Sequence, residues 1–163
     1  MISKVSPCLW YDGDAEEAAN LYVSLLPDSR IEKVQKNIVD CPAGKAGTVL
    51  AVYFTLAGQS FIAINGGMKM DYSYAASLSI DCADQAEVDR LWDALIAGGG
   101  KAEQCGWLRD RFNVPWQIVP RAIHDTIGGP DPAGAGRAMQ AMLGMVKLDI
   151  EALRRAYEGK AAA

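Results

Sequence analysis

The chain has 163 residues, half of them hydrophobic, with 16 Lys plus Arg against 20 Asp plus Glu and a net charge of -4. That length suits one domain or two small fused modules, and the apolar share excludes a disordered chain. No basic cluster points to nucleic acid, no apolar run approaches the roughly 20 residues that span a bilayer, and MISKVSPCLWYDGD turns polar too soon for a signal peptide. The expectation is a cytoplasmic protein with no nucleic-acid or membrane partner.

In chain order, a strand is expected over Val5 to Tyr11 and a helix from Asp14, ending before Pro27. Strands follow over Arg30 to Lys36, Thr48 to Leu56 and Ser60 to Asn65, the last two joined by the hairpin Ala57-Gly58-Gln59. Leu50, Val52, Phe54 and Leu56 share one face by strict alternation. A second round begins with a strand over Ala76 to Cys82 and a helix from Asp84, closed by Gly98-Gly99-Gly100. Short strands over Lys101 to Gln104, Gly106 to Arg109 and Trp116 to Pro120 complete it.

The two rounds are in register at an offset of 84 − 14 = 70. Asp14 matches Asp84, Glu17 matches Glu87, Tyr22 matches Trp92, and Leu25 matches Leu95. Each helix starts with Asp and has Glu three residues on, an Asp version of the capping box. The apolar residues then recur at helical spacing. Two such patterns in register indicate a duplicated module, each strand, helix, then two or three strands. Paired sheets would enclose a groove, the natural binding site. From Pro130 the texture changes. Asp131-Pro132 starts a helix carrying Met139, Met142, Leu143 and Val146. Asp149 starts a shorter one with Ile150, Leu153 and Tyr157, closed by Gly159. Lys160 and the three alanines read as a frayed end.

The four cysteines, Cys8, Cys41, Cys82 and Cys105, form no CxxC pair, and His124 is the sole histidine. A zinc ribbon or a Ser-His-Asp relay has little material. Cys105 reads as a structural thiol, because no histidine is adjacent, and Cys8 as a small buried hydrophobe. His124 falls on a helical turn after the last strand, a structural or exposed position. Asp12 suits a turn and Asp14 a cap.

The duplicated βαβββ plan, with PCLWYDGDAEEAANLY, FIAINGG, CGWLRDRFNVPWQIVP and AMQAMLGMVKLDIEALRRAYEG, resembles the glyoxalase/bleomycin-resistance/dioxygenase (vicinal-oxygen-chelate) superfamily. The resemblance is closer to its PhnB-like branch, often labelled demethylubiquinone methyltransferase-like. It implies an α+β fold: two βαβββ modules, at about 1–67 and 75–120, forming a curved sheet or barrel with a central groove in a domain over 1–129. A C-terminal helical extension follows over 130–163. It also implies a homodimer, sometimes with modules exchanged, which the apolar tail would suit. No strand here leads through a Gly-rich turn into a helix as in a doubly wound methyltransferase. Any reaction would then be of glyoxalase or dioxygenase type.

Active members of the superfamily hold a divalent metal through His or Glu on the first and last strands of the modules. Counting seven residues back from the first helix cap gives Pro7, which has no donor. The second module gives Ser77 or Ala75, depending on register. The first module's last strand offers Ala63 or Asn65. The last strand of the second module in the superfamily usually carries Glu in a D-x-F-G-x-x-W-E pattern; Asp110, Phe112, Asn113 and Trp116 keep it here, and Gln117 replaces the Glu. The superfamily site is therefore expected to be dismantled, with no metal and no other cofactor. Gln117 would then orient a ligand, or be a buried amide satisfied by backbone. Alternation places Leu9 and Tyr11 on the groove side, with Cys8 and Trp10 toward the helix layer. Tyr11 is a candidate donor or a rim residue, and Trp107 and Trp116 are candidates for a groove wall or the core. The ligand-binding candidates are Gln117, Asn65, Tyr11, Leu9, Ser77 and Trp107; no catalytic residue stands out.

The leading functional expectation is a metal-free small-molecule-binding protein. A metal-assisted isomerase, lyase or dioxygenase with non-standard ligands is the first alternative. An interaction module using the C-terminal helices is the second.

Overall fold

A computed structural model describes residues 3–160, so the expectation for the last three alanines lies outside the described residues. The chain divides between Asp71 and Tyr72 into two compact units.

The first unit runs β1 (Cys8–Tyr11), α1 (Ala15–Leu25), β2 (Arg30–Lys36), β3 (Val49–Leu56) and β4 (Gln59–Asn65). Its sheet has the order β1-β4-β3-β2, with β1 parallel to β4 and the other pairs antiparallel. Ala15, Ala18, Ala19 and Tyr22 of α1 are buried. So are Val52 and Phe54 of β3, with Phe61 and Ala63 of β4. Small alanines bring the helix backbone close to the sheet, and Tyr22 fills the space against Phe54, whose ring lies 6.4 Å away. Pro27 follows directly on the helix end, as expected from its missing N–H. The β3–β4 hairpin turns on Ala57 and Gly58, both at positive φ (47° and 81°). Leu56 pairs with Gln59 across it, the two-residue loop that matches the sheet's twist.

The second unit runs β5 (Leu78–Cys82), α2 (Gln85–Ile96), β6 (Lys101–Ala102), β7 (Trp107–Arg109) and β8 (Pro115–Pro120), then α3 (Ala122–Asp125), α4 (Pro132–Leu143) and α5 (Ile150–Glu158). Its sheet order is β5-β8-β7-β6, again with one parallel pair, β5 and β8. Val88, Leu91, Trp92 and Leu95 of α2 are buried, as are Leu108, Trp116 and Ile118 of the sheet. Each module therefore repeats one plan, and each sheet is open, with two edges, where the sequence left a closed barrel possible.

The helical extension belongs to the second unit. The amides of Cys105 and Gly106 donate to the carbonyls of Met145 and Val146, both at 2.8 Å. Leu148 and Leu153 are fully buried. The Gln85 side chain on α2 donates to Leu148 O (3.1 Å) and accepts from Ile150 N (2.9 Å). Asp131 and Asp149 cap their helices as expected, and Gly159 ends α5 at φ 75°. Met139, Leu143 and Val146 remain exposed. Among the described residues no helix is long and apolar enough to cross a membrane.

Candidate functional site

The stretch DRFNVPWQIVP is organised by Asp110, which is buried. Its Oδ1 accepts from the amides of Phe112 (2.9 Å) and Val114 (3.0 Å), and its Oδ2 from the Trp116 indole N–H (2.9 Å). Asn113 sits in the left-handed region at φ 67°, a conformation that asparagine tolerates. The carboxylate thus closes the turn and pulls the Trp116 ring under the sheet. Because side chains alternate along a strand, burying Trp116 and Ile118 on the helix side leaves Gln117 and Val119 on the open side, both half-buried.

Three of the expected site residues meet there. Gln117 pairs with Ser79 of β5 and with Trp107 of β7 across the sheet. Residues directly opposite in neighbouring strands point the same way, so Ser79, Gln117 and Trp107 form one row. The Gln117 amide donates to Ser77 Oγ at 2.9 Å. This selects Ser77 over Ala75 as the counterpart of the last-strand position. Arg109, the next open-side residue of β7, is gathered by the segment ahead of β5. It donates to the carbonyl of Tyr72 (3.1 Å) and to Tyr74 Oη (3.2 Å). Tyr74 in turn donates to Glu103.

The first unit's candidates lie elsewhere. Tyr11 is buried and its hydroxyl meets that of Tyr22 on α1 at 3.2 Å. Leu9 and Asn65 are buried on the same side. Asn65 Oδ1 accepts from the amides of Gly13 (3.1 Å) and Ala15 (3.0 Å), and its Nδ2 donates to Val49 O (2.9 Å). It does the work expected of Asp14, whose side chain makes no cap bond. The faces expected for β1 are therefore reversed: Leu9 and Tyr11 face the helix, while Cys8 and Trp10 face the open side. Trp10 lies over the backbone of Gly66, where a Cβ would fall 1.6 Å from its ring, and donates to Met68 O at 2.8 Å.

The reversal has a local cause. Tyr11 and Cys82 are the last inward residues before their helices, and 82 − 11 = 71, although the helices match at 70. The first module has one more residue in its strand–helix turn, Gly13, held at φ 107°. Counting back from the helix cap thus lands on the open side at Ser77 in the second module but out of step with the strand in the first. Just ahead of β1, the buried Oγ of Ser6 has no hydrogen-bond partner. Sequence reasoning missed Ser6; the extra glycine between two aspartates was the available signal.

Around Gln117 the donors of the second sheet's open face are an amide and two hydroxyls, and the carboxylate of Glu103 beside them is held by Tyr74 and Arg109. Divalent transition ions are held by imidazole, thiolate or carboxylate, and none of these joins Gln117 and Ser77. The nearby Asp81 is engaged by Arg121 at 2.7 Å. Among the described residues no group of three or more His, Cys, Asp or Glu could hold a metal ion. The residues present do not fit the superfamily's metal.

The other candidates carry no activated group, and Cys8, expected as a small buried hydrophobe, is exposed. Burial, reinforced by the charges of Glu87 and Asp81, pushes the Cys82 thiol up to about 12, and partial desolvation also raises Cys8. Neither is an activated thiolate. Cys105 points its Sγ at Met142 O, 3.7 Å away. His124 is exposed on α3.

The family model described as 3-demethylubiquinone-9 3-methyltransferase matches residues 3–119. The structure of a PhnB protein from Bacillus cereus is 32% identical, with a TM-score of 0.64, covering 72% of this chain and 99% of its own. A Pseudomonas aeruginosa protein shares the fold at 20% identity and a TM-score of 0.59, over 72% of this chain and 97% of its own. A glyoxalase/bleomycin resistance protein from Albidiferax ferrireducens is 18% identical, with a TM-score of 0.47, over 73% of this chain and 99% of its own. No curated protein matches.

Proposed function

The chain belongs to the 3-demethylubiquinone-9 3-methyltransferase family, the PhnB-like branch of the glyoxalase/bleomycin-resistance superfamily, and we propose that it binds a small organic molecule without a metal ion. The observation that carries this reading is the 2.9 Å bond from the Gln117 amide to Ser77 Oγ. It joins β8 to the residue just ahead of β5, at the expected ligand position, through neutral groups. One bond leaves Gln117 Oε1, its second amide hydrogen and the Ser77 hydroxyl hydrogen for a ligand. A neutral couple of this kind orients a molecule; it does not polarise one as a Lewis acid would.

The activity in the family's name forms no part of the proposal. The Gly-rich stretches Gly66-Gly67, Gly98 to Gly100 and Gly128-Gly129 follow a strand, a helix and the short helix α3, and no strand leads through any of them into a helix that would receive a cofactor. An enzyme using Asn65 and Gln117 as metal ligands has less support, because both polar atoms of Asn65 are spent on backbone at the start of α1 and at Val49.

Thermal unfolding of purified protein with nickel, cobalt, manganese, ferrous iron and zinc tests the reading. A ligand at a hundred times its Kd stabilises by about 2.7 kcal/mol. The expected result is no saturable rise in Tm with any of these ions. A rise that saturates at one ion per chain and disappears in Gln117→Ala contradicts the proposal.

A further inference from the structure

Resting on the reading of Gln117 as the binding residue, we infer that its ligand is an uncharged, planar aromatic molecule with a carboxamide-like edge. Three features of the second unit lead there.

The first is charge. Arg109 is the cation beside this row, and its side chain is only 12% exposed. Its donors go to Tyr74 Oη, Tyr72 O and Asn113 O, and Glu103 balances its charge at 3.5 Å. Its Nε and Nη1 hydrogens are spent on these partners, and its charge is already met by Glu103. A cation would find Glu103 already holding Tyr74 and Arg109. An ionised ligand would give up water here without gaining a counter-charge.

The second is the aromatic corner. Trp107, the cross-strand neighbour of Gln117, meets Tyr74 edge to face, with centroids 5.8 Å apart and planes at 73°. The Arg109 guanidinium lies 4.2 Å from the Tyr74 ring centre and holds that ring in place. Tyr74 is nonetheless 53% exposed. Rings fixed on one side and open on the other are suited to receive a third, flat ring.

The third is the amide edge. Gln117 keeps one acceptor and one donor on adjacent atoms, the pattern that a primary carboxamide, a lactam or a urea meets with two hydrogen bonds. A carboxylate would match the donor and face Oε1 with like polarity. An ammonium would match Oε1 and leave the N–H unmatched.

Benzamide, benzoate and benzylammonium share one ring and differ in charge, which makes them the probes. Nitrogen-labelled protein at neutral pH reports on the Trp107 indole N–H and the Gln117 side-chain NH2, assigned with Trp107→Phe and Gln117→Ala. Benzamide should move both signals saturably, and the two ions should bind at least about tenfold more weakly. Tyr74→Ala should weaken benzamide about fivefold or more, whereas Tyr74→Phe, which keeps the ring, should stay within about twofold. Benzoate or benzylammonium moving the same signals with equal or higher affinity overturns the uncharged class and leaves Gln117 as a binding residue. No response to any of the three at millimolar concentration, or equal benzamide binding in Tyr74→Ala, also overturns the inference; the metal titration above judges the underlying reading separately.

Discussion

At the start of α1 the Asp14 carboxylate caps nothing, and Asn65 reaches across from β4 to take the free amides. At the start of α2 Asp84 accepts from Glu87 N at 2.8 Å, and Glu87 accepts from Ala83 N at 2.7 Å, a local box. The two helices carry the same sequence signal and satisfy it differently because the first has one more residue between strand and helix. Gly13 lengthens that turn, moves the cap away, and reverses which β1 residues face the helix. The sheets differ too. The first has a seven-residue edge strand, β2, and the second a two-residue one, β6. The second unit adds the C-terminal helices, whose connecting segment pairs with Cys105 and Gly106. A duplicated module thus preserves its layers while its equivalent positions drift apart, and only the second keeps the position before β5 aligned with the last strand.

The difference can be broken most severely at the extension. Removing residues after Pro130 should unfold the second unit, read as loss of its dispersed NMR signals, because Leu148, Ile150 and Leu153 are part of its core. A truncated chain retaining those signals would make the extension an accessory. The single change Leu148→Ala should cost about 2–5 kcal/mol in urea unfolding.

The caps sharpen the contrast between the modules. Asn65→Ala leaves three backbone bonds unmade and should cost about 1–3 kcal/mol. Asp84→Ala should cost about 1 kcal/mol, and Asp14→Ala within about 0.5 kcal/mol. Equal losses at Asp14 and Asp84 would mean that the two helix starts are equivalent after all.

The smallest expected effect concerns alkaline pH. Cys82 stays protonated in the folded chain up to about 12, whereas an unfolded thiol ionises near 8.5. Above that lower value the unfolded state binds fewer protons, so stability falls as pH rises toward 12. Cys82→Ala should flatten that slope in denaturant midpoints measured across the window. The same thiol should resist alkylation in the native state, while the exposed Cys41 reacts.

Much of the fold was legible in the sequence, for definite reasons. Asp131-Pro132 and Asp149 are local caps, Ala57-Gly58 a local turn, and the stripe Val88, Leu91, Trp92, Leu95 a local periodicity; each needs only its neighbours. The D-x-F-x-x-x-W pattern likewise pointed to Gln117, and Asp110 supplies the reason. What the sequence hid was non-local. Nothing near Asn65 says that it will cap a helix 50 residues upstream. The face of β1 depends on a single residue in a turn, and a slip of one reverses every side chain. Tyr74 and Arg109 are 35 residues apart and meet only in the folded second unit.

The most direct test sets Asn65 against Gln117 in one spectrum. Side-chain amide signals of both, followed while a library of small aromatic and polar fragments is added, report which of them a ligand reaches. Binding fragments should move the Gln117 NH2 and leave the Asn65 NH2, locked between α1 and β3, in place. Fragments that move Asn65 and spare Gln117 would contradict it.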